Sequence, residues 1–143
     1  MALGSAANPA ARNMALDACY GDARSTRWPA SVQLALFAGD PTAGGTELTN
    51  AGGYARAVVA NTSANFPDAV AGIKTSGATT QFAPSTGAFS AGFSHWAFID
   101  GSGNLLDSGQ VTDPNTNAPV TITVSQANTI VRFLAGKLAI SVS

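Results

Sequence analysis

The single histidine of the chain, His95, is the residue best suited to acid–base chemistry, because an imidazole titrates near neutral pH. A Ser-His-Asp triad can be drawn on paper from four residues near it in the sequence: Ser94, Ser108, Asp100 and Asp107. Such a triad also needs an activated nucleophile and an oxyanion hole, yet no Gly-x-Ser-x-Gly elbow precedes a helix here. We therefore expect His95 to be a hydrogen-bonded strand residue, and we predict no catalytic residue and no enzyme activity.

The motifs that could hold a metal or a phosphate are incomplete. The segment 100–104, Asp-Gly-Ser-Gly-Asn, resembles the start of a calcium loop, but the later bidentate glutamate of an EF-hand is missing. Zinc sites need clusters of cysteine and histidine, and the chain has only Cys19 and His95. The glycines at 39–45 lack the Gly-Lys-Ser/Thr of a P-loop. We therefore predict no metal and no cofactor, a hairpin turn at 101–104, and a Cys19 that packs as a small apolar side chain.

The segment from Gly39 to Arg56, here called the contact loop, combines turn-forming residues with two opposite charges. Four of its residues form the predicted contact site: Asp40, Glu47, Tyr54 and Arg56. Because arginine and carboxylate match geometrically, Glu47 and Arg56 can pair and hold the loop in a shape suited to contacts with other proteins. The alternative is two solvated charges whose interaction is worth less than about 1 kcal/mol. Both interpretations stay open at the level of the sequence.

Charged residues make up only 10% of the 143-residue chain, against roughly 25% in an average soluble domain. The net charge is −1, and the lysines and arginines are scattered, which excludes the clustered positive surface that nucleic-acid binding needs. No apolar run is long enough to span a bilayer, and the N-terminus lacks the pattern of a secretory signal. A weakly charged surface repels other proteins little. The composition therefore favours a protein that folds in a reducing cytoplasm and enters a permanent assembly.

The hydrophobic pattern predicts an all-β protein with a short N-terminal helix. Asn8-Pro9 fits the N-cap and first position of a helix that Gly21 would end. The segments that follow predict strands at 32–37, 54–60, 79–83, 94–100, 105–111, 120–124, 129–134 and 138–142. Short strands separated by turn residues are typical of a β-sandwich or jelly roll. We predict one domain that spans the chain, with an arm and helix at 1–31 and the sandwich at 32–143.

Several motifs follow one another along the chain in a recognisable order: Gly39-Asp40-Pro41, Gly44-Gly45-Thr46-Glu47, Gly53-Tyr54-Ala55-Arg56 and Ser94-His95-Trp96-Ala97-Phe98-Ile99-Asp100. Together they resemble a family of small tailed-bacteriophage virion proteins that are described as tail-fibre or head-associated. The resemblance includes Leu16-Asp17-Ala18 and the closing segment 133–140, so it covers nearly the whole chain. A looser similarity exists to jelly-roll capsid cement proteins. The resemblance implies a virion protein, made in the cytoplasm of a host bacterium, to which no catalytic residues carry over.

Three functions are compatible with these features. The first, which we expect, is a capsid cement or decoration protein that binds the outside of the head shell, with the major capsid protein and copies of itself as partners. The second is a tail-fibre or receptor-binding module, which would bind a host-surface glycan through an exposed aromatic residue such as Trp28. The third is a jelly-roll enzyme, for which a cupin-type metal site would need several histidines. For an assembly role, we expect Arg56→Ala to weaken particle incorporation or loop order more than Lys74→Ala.

Overall fold

The protein is all-β with antiparallel sheets, as the sequence predicts. The computed structural model describes Tyr20 and residues 29–141, so the predicted N-terminal helix lies outside the described residues. In the described part the strands are β1 Ser31–Ala38, β2 Thr46–Glu47, β3 Ala57–Ala60, β4 Ile73–Thr75, β5 Thr80–Gln81, β6 His95–Ile99, β7 Leu105–Gln110, β8 Arg132–Phe133 and β9 Ala139–Ser141. Two single-turn 3-10 helices span Pro41–Ala43 and Ala51–Gly53. The finer jelly-roll arrangement stays a prediction.

The described residues divide into two compact units. The larger unit comprises residues 32–59 and 80–132, and it contains the contact loop. The smaller unit comprises residues 60–79 and 133–141 together with Tyr20 and residues 29–31. The single domain expected from the sequence stays a prediction.

The central strand of the larger unit, β1, is buried on both faces. The alternation in the sequence predicts one buried face, and Val32, Leu34 and Leu36 on that face are fully buried. The other face also packs inside, where it contributes to a cluster of buried residues: Ala35, Phe37, Ala97 and Ile99. Strand β1 pairs with β2, β3 and β6, and β7 follows β6 at the edge of the sheet. This central position explains why the strand carries an apolar run on both faces rather than on one.

Strands β6 and β7 form an antiparallel hairpin whose turn follows Asp100, as predicted. The Asp100 carboxylate accepts hydrogen bonds from the backbone N–H groups of Ser102 and Asn104, both at 2.8 Å. Trp96 on β6 lies opposite Gly109 on β7. A Cβ at Gly109 would stand 2.6 Å from the indole ring, so only a glycine leaves room for the buried tryptophan.

In the smaller unit, β4 and β9 form an antiparallel pair in which Lys74 lies opposite Ile140. Leu138 and Ile140 are buried, as the alternation at the end of the chain predicts. The rings of Tyr20 and Phe66 also pack together, with centroids 5.2 Å apart. Lys74 is only 1% exposed, so it is a buried residue. Lys74→Ala therefore does not serve as the surface control for Arg56→Ala that the sequence suggested.

The segment 120–124 differs most from the sequence prediction, because it forms no strand. The sequence predicts a strand here, because all five residues are β-branched and apolar side chains alternate with threonines. Its backbone bonds instead reach three separate partners: Val120 bonds Val111, Ile122 bonds Phe93, and Val124 bonds Phe89. A ladder needs successive pairs with one neighbouring strand, so only an isolated bridge between Ile122 and Phe93 results. Ile122 is 40% exposed and Val124 is buried, although the predicted strand places their side chains on the same face.

Other strands are shorter than predicted. The strand predicted at 54–60 begins only at Ala57, because the 3-10 helix Ala51–Gly53 runs up to Tyr54. The strands predicted at 79–83 and 129–134 shrink to β5 and β8. Turn geometry and sparse pairing therefore set these boundaries, rather than β-propensity alone.

Candidate functional site

The contact loop begins with a hairpin between β1 and β2 in which Phe37 lies opposite Glu47. Asp40 stabilises the turn of this hairpin. Its carboxylate accepts hydrogen bonds from the N–H and the hydroxyl of Thr42, both at 2.8 Å, where the 3-10 helix Pro41–Ala43 begins. These bonds hold the pKa of Asp40 below its ordinary value. Asp40 therefore acts within its own turn.

Glu47 and Arg56 form the ion pair that the sequence offers as one of two possibilities. The guanidinium donates from Nε to Oε1 of Glu47 at 2.8 Å and from a terminal nitrogen to Oε2 at 2.7 Å. Its other terminal nitrogen donates to Oε1 of Gln33 at 2.9 Å, so Arg56 also reaches β1. The hydrogen bonds to Glu47 raise the pKa of Arg56. The two charged side chains are 31% and 25% exposed, so solvent screens this bidentate pair only in part.

Tyr54 connects the ion pair to the interior. Its ring is 5% exposed and packs edge-to-face on Phe89, with centroids 5.6 Å apart. Its hydroxyl donates to Oε1 of Glu47 at 3.1 Å and accepts the N–H of Leu36 at 2.9 Å. Burial raises the pKa of Tyr54 well above its usual range. The phenol therefore stays protonated and keeps donating this bond near neutral pH.

One hydrogen-bonded network therefore joins Gln33, Glu47, Tyr54 and Arg56. Both carboxylate oxygens of Glu47 accept hydrogen bonds from Arg56, so the group is positioned for holding shape rather than for accepting a proton from a substrate. Gln33 is absent from the sequence prediction. The sequence does mark this residue, because Gln33 is the single polar side chain in the apolar run 32–38.

The turn of the contact loop between β1 and β2 is largely exposed. Four exposed residues form its tip: Thr42, Ala43, Gly44 and Thr46. Tyr54 is buried, and its contacts are with Glu47, Leu36 and the two phenylalanines beneath the loop, Phe82 and Phe89. The four predicted site residues therefore have different places: Asp40 stabilises the first turn, and Glu47, Tyr54 and Arg56 fasten the end of the loop to β1.

His95 lies on β6, and its surroundings match a hydrogen-bonded strand histidine. Its Nδ1 lies 3.0 Å from Oγ of Ser94. That oxygen also accepts the N–H of Gly39, at 3.1 Å, which ties β6 to the start of the contact loop. The Asp100 carboxylate is engaged in its own turn instead of orienting the imidazole. Ser94 thus connects two parts of the chain, and Asp100 does not complete the triad drawn from the sequence.

Cys19 and Trp28, which the sequence also singled out, lie outside the described residues. Among the residues that the structure describes, no group of three or more histidine, cysteine or acidic side chains is placed to hold a metal ion. Within the same part of the chain, no helix has the length and hydropathy to cross a membrane. The contact loop remains the candidate functional site.

We expect ionisation of Tyr54 to destabilise the protein above about pH 10, where an unfolded tyrosine loses its proton. The folded pKa is raised because burial opposes the phenolate. The stabilisation is therefore fully present below the unfolded pKa and is lost as the pH rises towards the folded pKa. Thermal melts from about pH 8 to about pH 12 measure this loss. Tyr54→Phe should flatten the decline, and an equal decline in both proteins would contradict the assignment.

Comparison with known proteins identifies the family of the chain. A family model described as Podophage GP4 fiber I protein gp80 matches residues 6–141, which is nearly the whole sequence. No curated protein and no solved structure matches the chain significantly. The match confirms the resemblance to tailed-phage virion proteins that the motifs indicate. The chain therefore belongs to the podophage GP4 fiber I protein gp80 family, a family of phage virion fibre proteins.

Proposed function

We propose that this protein is a non-enzymatic structural component of the tail fibre of a podophage virion. The observation that carries the proposal is the family match over residues 6–141, because the family description names a fibre protein. The sequence alone favours a cement protein on the head, and the family description favours the tail fibre instead. The proposal therefore follows the second of the functions weighed from the sequence.

The surface of the molecule supports a role as a subunit. Only 10% of the residues are charged. Large apolar side chains are exposed in both units: Val58, Val70, Ile73, Leu105, Ile122, Ile130 and Leu134. Weak charge repulsion and exposed apolar groups suit a surface that neighbouring proteins cover. We propose copies of itself and other virion proteins as partners, synthesis in the cytoplasm of the host bacterium, and a host-surface glycan as the target of the assembled fibre.

Locating the protein in purified particles tests the proposal. Phage particles are separated into heads and tails, and the protein is quantified in each fraction by mass spectrometry. We expect it in the tail fraction, and antibody-gold labelling should decorate fibres in electron micrographs. Recovery with the heads, in proportion to the major capsid protein, would support the cement role and overturn the proposal.

We also expect Arg56→Ala to reduce the amount of protein in particles several-fold. The substitution removes the donor to both carboxylate oxygens of Glu47 and to Gln33, so the contact loop loses one of its links to β1 and keeps that of Tyr54 to Leu36. Arg132→Ala is the matched control, because Arg132 is an exposed arginine in the same unit. Lys74→Ala does not serve, since Lys74 is buried.

Quantitative mass spectrometry of particles that carry each variant measures the effect. Soluble expression and thermal melting of the two variants separate a loss of incorporation from a loss of folding. Equal incorporation of Arg56→Ala and Arg132→Ala would show that the contact loop is not part of the assembly surface.

A further inference from the structure

The segment 120–124 has the sequence of a strand and only half of the hydrogen bonds of one. Its residues read Val-Thr-Ile-Thr-Val, and every one of them is β-branched. Val120, Ile122 and Val124 direct their backbone bonds to one side, towards the rest of the larger unit. Within the described part of the chain, the backbone N–H and C=O groups of Thr121 and Thr123 make no hydrogen bond. Alternate residues of an extended chain present these groups to opposite sides, so the threonines form an open edge.

The side chains show the same extended geometry. A Cβ at Gly92 would meet Thr121 at 2.9 Å and Thr123 at 3.0 Å, so both threonines lie over this glycine on one face. Ile122 lies between them in sequence and is 40% exposed. Exposed edges rich in β-branched residues are templates for pairing with another chain. Charges on an edge normally block such pairing, yet residues 114–131 include no charged residue.

We propose that two copies of this chain pair through this edge, antiparallel and centred on Ile122. The five-residue sequence reads the same in both directions, so a two-fold axis at Ile122 places each residue opposite one of its own type. Val120 then faces Val124 of the second copy, and Thr121 faces Thr123 of the second copy. Self-complementarity and the absence of charge together favour a second copy over a partner of different sequence.

The hydrogen-bond pattern fits this register. The free groups belong to Thr121 and Thr123, so each threonine exchanges two backbone bonds with the opposite threonine. Ile122 has its own N–H and C=O engaged with Phe93, which makes the central pair a non-hydrogen-bonded pair. Side chains approach most closely at such pairs, with Cα atoms about 4.5 Å apart. The two isoleucines would therefore cover each other's exposed surface.

A single cysteine at the centre tests the register. Ile122→Cys in a Cys19→Ser background is oxidised under mild conditions, because a Cα separation near 4.5 Å permits a disulfide. We expect a covalent dimer on non-reducing gels. Ile130→Cys is the matched control, since Ile130 is 48% exposed and lies outside the palindrome. A dimer yield for Ile122→Cys no greater than for Ile130→Cys would overturn the register.

A charge at the centre tests the association itself. Ile122→Lys places two ammonium groups opposite each other, which destabilises a strand pair. By size-exclusion chromatography with light scattering, we expect the wild-type chain and Ile130→Lys to share one oligomeric mass and Ile122→Lys to show a smaller one. Circular dichroism confirms that each variant is folded. A monomeric wild-type protein, or an unchanged mass for folded Ile122→Lys, would overturn the proposal.

The inference rests on the proposed function only for its biological setting. Both tests use the purified chain, whereas the fibre role is tested by locating the protein in particles. A failure of one is therefore distinguishable from a failure of the other.

Discussion

Replacing Tyr54 with alanine is expected to lower the free energy of unfolding of the larger unit by about 3–5 kcal/mol, as for other buried aromatic residues. The ring is buried and packs on two phenylalanines, Phe82 and Phe89, with centroid distances of 6.1 and 5.6 Å. Its removal leaves a cavity beneath the contact loop. It also takes away a hydrogen-bond donor to Glu47 and the acceptor for the buried N–H of Leu36. Urea denaturation followed by circular dichroism measures the change.

Tyr54→Phe separates the two contributions. The phenylalanine keeps the ring and loses only the hydroxyl, so we expect a cost of about 1–3 kcal/mol from the lost bonds and the unpaired Leu36 N–H. If Tyr54→Phe cost as much as Tyr54→Ala, the hydroxyl would carry the stabilisation and packing would be a minor factor. If Tyr54→Phe cost nothing, the hydroxyl bonds to Glu47 and Leu36 would be irrelevant to stability.

Gly52→Ala is expected to destabilise the larger unit by about 2–5 kcal/mol through two effects. Gly52 has φ +64°, a left-handed conformation that costs an L-residue about 1–2 kcal/mol. A Cβ at this position would also overlap the backbone carbonyl of Ala88, and relieving such an overlap costs about 1–3 kcal/mol more. The overlap involves backbone atoms, so no side-chain rotation relieves it. Chemical denaturation measures the change.

Gly44→Ala isolates the first effect, the left-handed conformation. Gly44 also has a left-handed φ, +87°, but no atom lies within 4 Å of a Cβ built there. We expect Gly44→Ala to cost only the conformational share, about 1–2 kcal/mol. Similar losses for the two variants would mean that the chain near Ala88 yields to the added methyl group.

The sequence predicts the parts of this fold that depend on local pattern. The strand β1, the hairpin after Asp100 and the buried residues of β9 follow from alternation and from turn chemistry. The ion pair between Glu47 and Arg56 was one of two possibilities at the level of the sequence, and the structure shows that it forms. The scarcity of charged residues in the chain favoured it. The motifs also identified the virion family, which the family match confirms.

Two features depend on contacts that pattern does not encode. The segment 120–124 is the longest run of β-branched residues in the chain, yet no single neighbouring strand pairs along it, so no strand forms. Gln33 and Tyr54 join the ion pair only because β1 passes under the end of the contact loop. Both outcomes depend on tertiary placement, which β-propensity and residue type do not determine.

The acidic groups of this protein bear on how strongly its association depends on salt concentration. Three aspartates, Asp40, Asp100 and Asp113, accept backbone hydrogen bonds inside their own turns, and Glu47 is held by Arg56. In the part of the chain that the structure describes, Asp107 also accepts a hydrogen bond, from the N–H of Ser108, so most of the described acidic side chains are engaged within the chain. Association through uncharged edges and apolar side chains is little affected by the screening that weakens ion pairs between proteins. We therefore expect the proposed strand pairing to persist from low to high salt concentration.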